Sequence, residues 1–494
     1  MQNCCTCIAI LTESQLAFLM SIAPLYLVID QGTSSTKSFL FDETGNIIHT
    51  EIIKHRLQYL VPFHVECDPK TILNACKKLI AESIIVAGRN SITKVGIAVQ
   101  RSTFLFWEKN SAEPVTQALS WQDSRAQNIV NELSNHSDWI WEQTGAPLSP
   151  HFGGPKFLHM IRMNPDLRKK VSSAQILYGP LSAYLTHALT GTATVDESIA
   201  GRTLFFNIHS STWSKKCLDL FQIPESGLPL LKPVLNNYGL ICDTNLSLQC
   251  VIGDQQAALI GQAGLTRGCI ATNFGTSASV LYNAGENPIV VDGLISSVLL
   301  SDGTQRKHLV EGTINACNSL FYHLEKELKL PHRFMKWHEL CSNQSTNGIY
   351  VPGFAGLAAP YWKSGFNDIY RNLDHKNKNE IIRAGMESIG FLVKNILDQL
   401  QPIMDSNLKS LTAGGGGARP PLLQFIADLT GIPITNSAIK DCTAYGVFLL
   451  LRPKNGNDDY QINQIFSPRQ NKAVMEKKLA DWKEVLESIV QSVK

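Results

Sequence analysis

Asp254 stands where an apolar run, Val251-Ile252, meets Gly253 and gives way to the helical spacing of Gln255 to Leu259. A carboxylate there has two uses. It can cap the helix by accepting from the backbone N–H groups of Gln256 and Ala257, or it can face a cleft and take the proton of a hydroxyl that attacks phosphorus. Phosphate calls for many donors at close range, and two separate turns offer them: Asp30-Gln31-Gly32-Thr33-Ser34-Ser35-Thr36-Lys37 and Thr272-Asn273-Phe274-Gly275-Thr276-Ser277-Ala278-Ser279. In each turn a glycine lets the backbone approach an anion while hydroxyls add hydrogen bonds, which makes Thr33, Ser34, Thr276 and Lys37 the candidate contacts. Asp30, just before the first turn, suits Mg²⁺, an ion that takes few carboxylates and several waters. A single Gly-Thr-Ser turn is ordinary turn chemistry. Two of them, with a third glycine-rich turn at Ala413 to Pro421, point to a nucleotide phosphate site.

The elements that must position these residues follow from the apolar runs. Leu25 to Ile29 reads as a buried strand and Ser38 to Phe41 as the next, so the Gly-Thr-Ser segment is a hairpin tip. The same unit returns at Ile270 to Gly285, with Thr276 lying 243 positions after Thr33. Two hairpins at matching places in halves of similar size imply a duplication, each half presenting its turn to a shared cleft. Lys409 to Thr412 reads as a short strand. Leu422 to Leu429, closed by Gly431, reads as a helix whose glycine-rich approach, Gly414-Gly415-Gly416-Gly417, is a seat for phosphate or nucleotide. Val95 to Gln100 reads as a strand ending at Arg101. Trp121, flanked by Ser120 and Gln122, is either a core residue or a flat apolar wall for the CH face of a carbohydrate.

Length and composition bound the rest. The 494 residues exceed one compact core and predict two or three domains. Lys and Arg (44) nearly cancel Asp and Glu (42), so nothing in the overall charge points to a nucleic-acid or membrane-surface protein, and neither partner is expected. Apolar stretches such as Val447 to Leu451 are too short to span a bilayer. The cysteines from Cys67 to Cys442 are scattered without metal-ligand spacing, as free thiols in a reducing cytosol are, and a cytoplasmic protein is expected. Cys4, Cys5 and Cys7 crowd an N-terminal segment that lacks the features of a secretory signal, and Met20 would serve equally as a start. The expected division is an N-terminal appendage over 1–23, disordered; a substrate and phosphate domain over 24–262; a nucleotide domain over 263–454; and a tail with an amphipathic helix over 455–494. A small polyol or sugar is the expected partner, and homo-oligomerisation is left open.

Taken in order, Asp30-Gln31-Gly32-Thr33, Val99-Gln100-Arg101, Trp121-Gln122-Asp123, Leu148-Ser149-Pro150, Gly201 to Asn207, Gly253-Asp254-Gln255-Gln256-Ala257-Ala258, Gly356 to Trp362 and Gly414-Gly415 are collinear over about residues 25 to 450. This series resembles the FGGY carbohydrate kinases, most closely their glycerol kinase branch. The resemblance implies an α/β fold of two actin-like (ribonuclease-H-like) ATPase domains with an interdomain cleft, ATP and Mg²⁺ as cofactors, and phosphorylation of a polyol or sugar hydroxyl. It makes Asp254 the catalytic base and Asp30 the magnesium carboxylate. Thr33, Ser34, Lys37, Gly275, Thr276, Gly414, Gly415 and Arg419 become nucleotide and phosphate positions, while Arg101, Ser102, Trp121, His151, Asp254 and Gln255 become substrate positions. Three pocket residues depart from the glycerol branch: Ser102 replaces a Glu, His151 a Tyr, and Ser279 an aromatic residue. Those changes predict a roomier pocket for a longer polyol or a ketose. On the nucleotide side Ala413 replaces an Asp and Arg419 an Asn. The glycine-rich loop that precedes the Gly-Asp-Gln-Gln segment in bacterial glycerol kinases is missing, which predicts no inhibition by fructose bisphosphate. The rival readings are an actin- or chaperone-like ATPase, which has no use for a carbohydrate-binding Trp, and a degraded kinase that binds sugar phosphates without turnover.

Overall fold

The computed structural model describes residues 24–88, 92–342, 344–404, 408, 410–453 and 462–492. The expected appendage, with Cys4, Cys5, Cys7 and Met20, lies outside the described residues. Leu25–Gln31 (β1) is buried along nearly its whole length, as a strand covered on both faces must be. It turns through Gly32 to Ser34 into Ser35–Phe41 (β2), antiparallel, with Ile29 opposite Ser38 and Asp30 opposite Lys37. Ile47–Lys54 (β3) continues the antiparallel run. Pro69–Ala87 (α1), capped by Asp68 accepting from the backbone N–H of Lys70 and Thr71, crosses over to Ile92–Val99 (β4), which lies parallel to β1. Leu235–Leu240 (β5) and Ser247–Gly253 (β6) complete a six-stranded sheet of order β5-β6-β4-β1-β2-β3.

The second domain repeats the pattern. Ile270–Phe274 (β7) and Ala278–Gly285 (β8) form the hairpin, followed by Ile295–Ser301 (β9) and Arg306–Ile314 (β10). Leu411–Gly414 (β11), Ile434–Ser437 (β12) and Ile462–Phe466 (β13) fill the other side, giving the order β9-β10-β8-β7-β11-β12-β13. In both sheets the first hairpin strand has two successive parallel neighbours beyond it, and the second hairpin strand has an antiparallel one. The duplication read from two Gly-Thr-Ser turns thus extends to the strand order of both halves.

Two strand ends differ from the sequence reading. β1 and β2 run on to Gln31 and back from Ser35, so the first turn is only Gly32 to Ser34 and Asp30 faces Lys37 across the ladder. The strand before the third turn is Leu411–Gly414 rather than 409 to 412, which puts Ala413 and Gly414 inside the sheet.

Besides the six-stranded sheet the first domain carries a five-stranded one, whose strands run in the order 58–61, 64–67, 118–119, 104–108, 176–180, the first two preceding α1 in the chain and the other three following β4, together with the helix Gly153–Met163 (α2). Asp254–Ala263 (α3) leaves β6 toward the second domain, where Asn318–Glu327 (α4), Lys378–Leu400 (α5) and Pro420–Thr430 (α6) pack around the second sheet; Cys442–Leu451 (α7) crosses back onto α3 and onto β1, β4 and β6 of the first sheet, and Lys472–Ser492 (α8) packs on α6. The helix α8 is more than a tail. Trp482 on it is fully buried, stacks on Phe391 of α5 at a centroid distance of 4.9 Å, and donates its indole N–H to Asn395 Oδ1 at 2.9 Å.

The domains join where α3 crosses α7. A methyl group on Gly261 would lie 2.0 Å from the carbonyl oxygen of Cys442, and one on Gly446 would lie 1.9 Å from that of Ala257, so only glycine permits this approach. Around the crossing, Val28, Phe39, Ile252 and Ala257 share one apolar cluster with Ala271, Leu281, Val447 and Phe448. The junction therefore has a core of its own. Among the described residues no helix is long and apolar enough to cross a membrane.

Candidate active site

Gly253 occupies the cap position of α3 and Asp254 its first turn, with no side-chain cap bond. Asp254 Oδ1 accepts from its neighbour Gln255 N at 2.8 Å rather than from Gln256 or Ala257, so the plain capping role does not account for it. Its side chain keeps 27 % of its surface open. Burial raises its pKa, the Arg101 guanidinium and the Gln255 N–H oppose the rise, Glu311 adds to it and Arg202 resists. Arg101, just past β4, places Nε 3.4 Å from Asp254 Oδ1. Its two terminal nitrogens fork onto Glu311 at 2.7 and 2.8 Å, and one of them also reaches Gln256 Oε1 at 3.3 Å.

Glu311 comes from the middle of β10 in the other domain, is 1 % exposed, and also binds the buried Arg202. Burial works against its ionised form, but the two arginines outweigh it and hold its carboxyl well below the usual range. The sequence reading missed this residue. The signal was a single carboxylate inside the apolar run Leu309-Val310-Glu311-Gly312.

At the end of β1, Asp30 is pushed up to about 7, by burial first and then by Asp254 and Asp441, with Lys37 pulling the other way. Asp30 and Asp254 thus sense each other across one space, a repulsion that a proton or a cation relieves. Lys37 is paired with Asp441, beside the start of α7, at 2.9 Å. Trp121 is 38 % exposed, which sets aside the core reading, and its indole donates to Thr33 Oγ1 at 2.9 Å. His151 is exposed with Nδ1 3.0 Å from the carbonyl oxygen of Trp121. Ser102 holds φ at +65°. The carbonyls of Ser102 and Ser120 both accept from Lys156 of α2, at 2.9 and 2.7 Å. Lys156 is fully buried, and burial brings its ammonium down to about 7 although Asp123 lies near. Ser279 Oγ donates to Gln255 Oε1 at 3.2 Å, tying the second hairpin to the residue after Asp254.

The glycine-rich turn seats against the second hairpin. Gly417 N donates to the Phe274 carbonyl at 2.8 Å, and a methyl group on Gly415, whose φ is +90°, would meet that same oxygen at 2.5 Å. Gly414 packs on the Gln262 amide, and Arg419 donates from Nε to the Gly416 carbonyl at 3.1 Å. The Thr276 carbonyl accepts from Cys317 N, Ser319 N and Ser319 Oγ at the start of α4. Ser34 is exposed at the first tip, and Gly275 N closes the second tip onto the Ser277 carbonyl at 2.9 Å. The structure therefore gathers the acid–base, hydroxyl and aromatic candidates at one end of the first sheet and the glycine-rich candidates at the hairpin of the second.

Residues 25–261 match the N-terminal domain of the FGGY family of carbohydrate kinases, and residues 270–451 match its C-terminal domain. The chain belongs to that family. The kinase is 34% identical over 439 residues to a glycerol kinase of Shewanella sp. (strain ANA-3), covering 86% of this chain and 89% of that one. It is 31% identical over 489 residues to glycerol kinase 1 of Thermotoga maritima, covering 94% and 99%. Among solved structures it is similar to Plasmodium falciparum glycerol kinase with ADP, with a TM-score of 0.87 at 29% identity over 94% of this chain and 98% of that one. It shares its fold with the gluconate kinase of Lactobacillus acidophilus, with a TM-score of 0.85 at 20% identity over 95% and 99%. The kinase thus has the two-domain actin-like fold, uses ATP, and transfers a phosphoryl group to an alcohol of a polyol or sugar.

Proposed function

We propose that this kinase phosphorylates a polyol or ketose of four to seven carbons, with Asp254 as the base that takes the hydroxyl proton. The observation that carries the assignment is the Asp254 carboxylate itself: partly open, at the start of a helix, beside the Arg101 guanidinium and within electrostatic reach of Asp30. The substrate's hydroxyl oxygen attacks the terminal phosphorus of ATP, its proton passes to Asp254, and the bond to the bridging oxygen breaks to leave ADP. Arg101 keeps Asp254 ionised enough to accept that proton, while burial and Glu311 keep it basic. The Trp121 face excludes water on one side of the substrate, with Ser102, His151 and Gln255 offering hydrogen bonds around it.

On the nucleotide side Thr33, Ser34, Gly275 and Thr276 would contact phosphate, while Gly414, Gly415 and Arg419 line the base end. Lys37 would balance phosphate charge from its place beside Asp30 and Asp441. Among the described residues no group of three or more His, Cys, Asp or Glu is arranged to hold an ion. Mg²⁺ on a nucleotide asks for only one or two carboxylates, with phosphate oxygens and water completing the shell, and Asp30 fits that demand. When bound, the ion offsets phosphate charge as the transfer proceeds.

The reading of a longer substrate rests on small residues at pocket positions. Ser279 binds Gln255 where bulk would otherwise fill space, and Ser102 supplies no carboxylate. A lost charged acceptor is worth about 1.5–3 kcal/mol of affinity. ADP release measured over a panel from glycerol to seven-carbon polyols and ketoses tests both parts. Fastest turnover of glycerol would remove the size assignment, and no turnover of any member would remove the assignment of Asp254. Asp254→Asn should lower kcat at least about 10³-fold while ATP binding, read by calorimetry, stays unchanged.

A further inference from the structure

Arg101 has five N–H donors, and the way they are shared out is unusual for a side chain beside a catalytic base. Its terminal nitrogens are both taken by Glu311 at 2.7 and 2.8 Å, so that only Nε, at 3.4 Å, looks toward Asp254. A free guanidinium next to a carboxylate turns to make the bidentate fork, the stronger geometry. Such a fork would occupy both oxygens of Asp254 and lower its basicity, leaving nothing to receive a hydroxyl proton. Glu311 prevents that by holding the fork for itself. Arg202, 3 % exposed, binds the same Glu311 oxygen, Oε2, that one terminal nitrogen of Arg101 takes, and makes a set of two cations and two anions with Asp254. Glu311 stands on β10 of the second domain, opposite Leu281 and Ile295, whereas Arg101, Arg202 and Asp254 belong to the first. The arginine beside the base is thus oriented from across the domain boundary.

We infer that Glu311 is a positioning residue for the transfer, keeping Asp254 free by engaging the terminal nitrogens of Arg101. This deepens the assignment of Asp254 as base and rests on it. The test is steady-state kinetics of Glu311→Gln on the best substrate of the panel, with ATP affinity and thermal midpoint measured alongside. The expected result is a fall in kcat of about 10- to 100-fold with ATP affinity held within about twofold. In an Arg101→Met background, which already lacks the group that Glu311 acts through, the same change should cost less than about twofold in kcat. Losses that multiply in the double variant, or a Glu311→Gln enzyme with wild-type kcat, would overturn the inference.

A second variant separates positioning from stability. Glu311→Gln with Arg202→Gln removes one charge of each sign and places two neutral amides in contact, a change that buried ion pairs often tolerate well. Its thermal midpoint should recover toward wild type while kcat stays about tenfold or more below it. Recovery of kcat together with the midpoint would show that Glu311 serves packing alone. A wild-type chain that phosphorylates nothing in the panel sinks the base assignment and this inference together; wild-type turnover with an unaffected Glu311→Gln sinks only the inference.

Discussion

A buried amine without a carboxylate in direct contact is costly as an ammonium, and Lys156 shows how this protein avoids the cost. Its Nζ meets two carbonyl oxygens, those of Ser102 and Ser120, and a neutral amine has two N–H groups to give. Burial brings its pKa down to about 7, with Asp123 and Cys67 opposing and Arg125 adding to the fall. The sign of the linkage follows from that depression. Between about pH 7 and the unfolded value the unfolded chain binds a proton that the folded chain does not, so the penalty of burying Lys156 is full below about pH 7 and lifts progressively as pH rises through that window. Comparing thermal midpoints of wild type and Lys156→Met from pH 6 to 10 should give a difference that moves in favour of wild type as pH increases. Because the two carbonyls flank Ser102 and Trp121, the same variant should raise the KM for the alcohol substrate several-fold more than that for ATP. A pH-independent difference would mean that the amine stays charged.

Helix α8 illustrates how far an element's role can differ from its place at the end of the chain. Read along the sequence it is an amphipathic stretch after a polar loop, yet Trp482, Val485, Leu486 and Ile489 are buried in the same core as α5 and α6. Trp482→Ala removes the stacking on Phe391 and leaves Asn395 Oδ1 unpaired, and should cost about 3–5 kcal/mol, seen as a lower midpoint in urea unfolding. The amphipathic pattern within 455–494 announced a helix but not its bounds, Lys472–Ser492, nor its partner. The hairpins were legible for a similar reason: Gly-Thr-Ser between apolar runs is turn chemistry, whereas Asp30, Gln31 and Thr36 looked like loop residues and proved to be paired strand ends, with Gln31 and Thr36 buried. Arg101 and Trp121 were legible as polar or aromatic residues after short strands. Glu311 and Lys156 were not, because their meaning lies in partners 210 and 54 or fewer positions away in the chain, and only folding brings those together.

At the scale of the whole molecule the two domains are tied by a shared apolar core and, among the described residues, by ion pairs that cross from one half to the other. Lys37–Asp441, Arg101–Glu311, Arg202–Glu311 and Arg306–Glu197 join residues of the first half to residues of the second, and three of these four pairs reach the catalytic end or the phosphate turn. Behind them lies the crossing of α3 and α7, whose near ends carry Asp254 and Asp441. At Gly261 and Gly446 the two main chains touch directly, inside the apolar cluster that Ala257, Ile260, Val447 and Phe448 share. This close seat lies directly behind the chemistry. Adding one methyl group at Gly446 would wedge it against the Ala257 oxygen and push the base off its line to the phosphate. Gly446→Ala should therefore lose turnover more steeply than it loses affinity for either substrate, measured as kcat against the two dissociation constants.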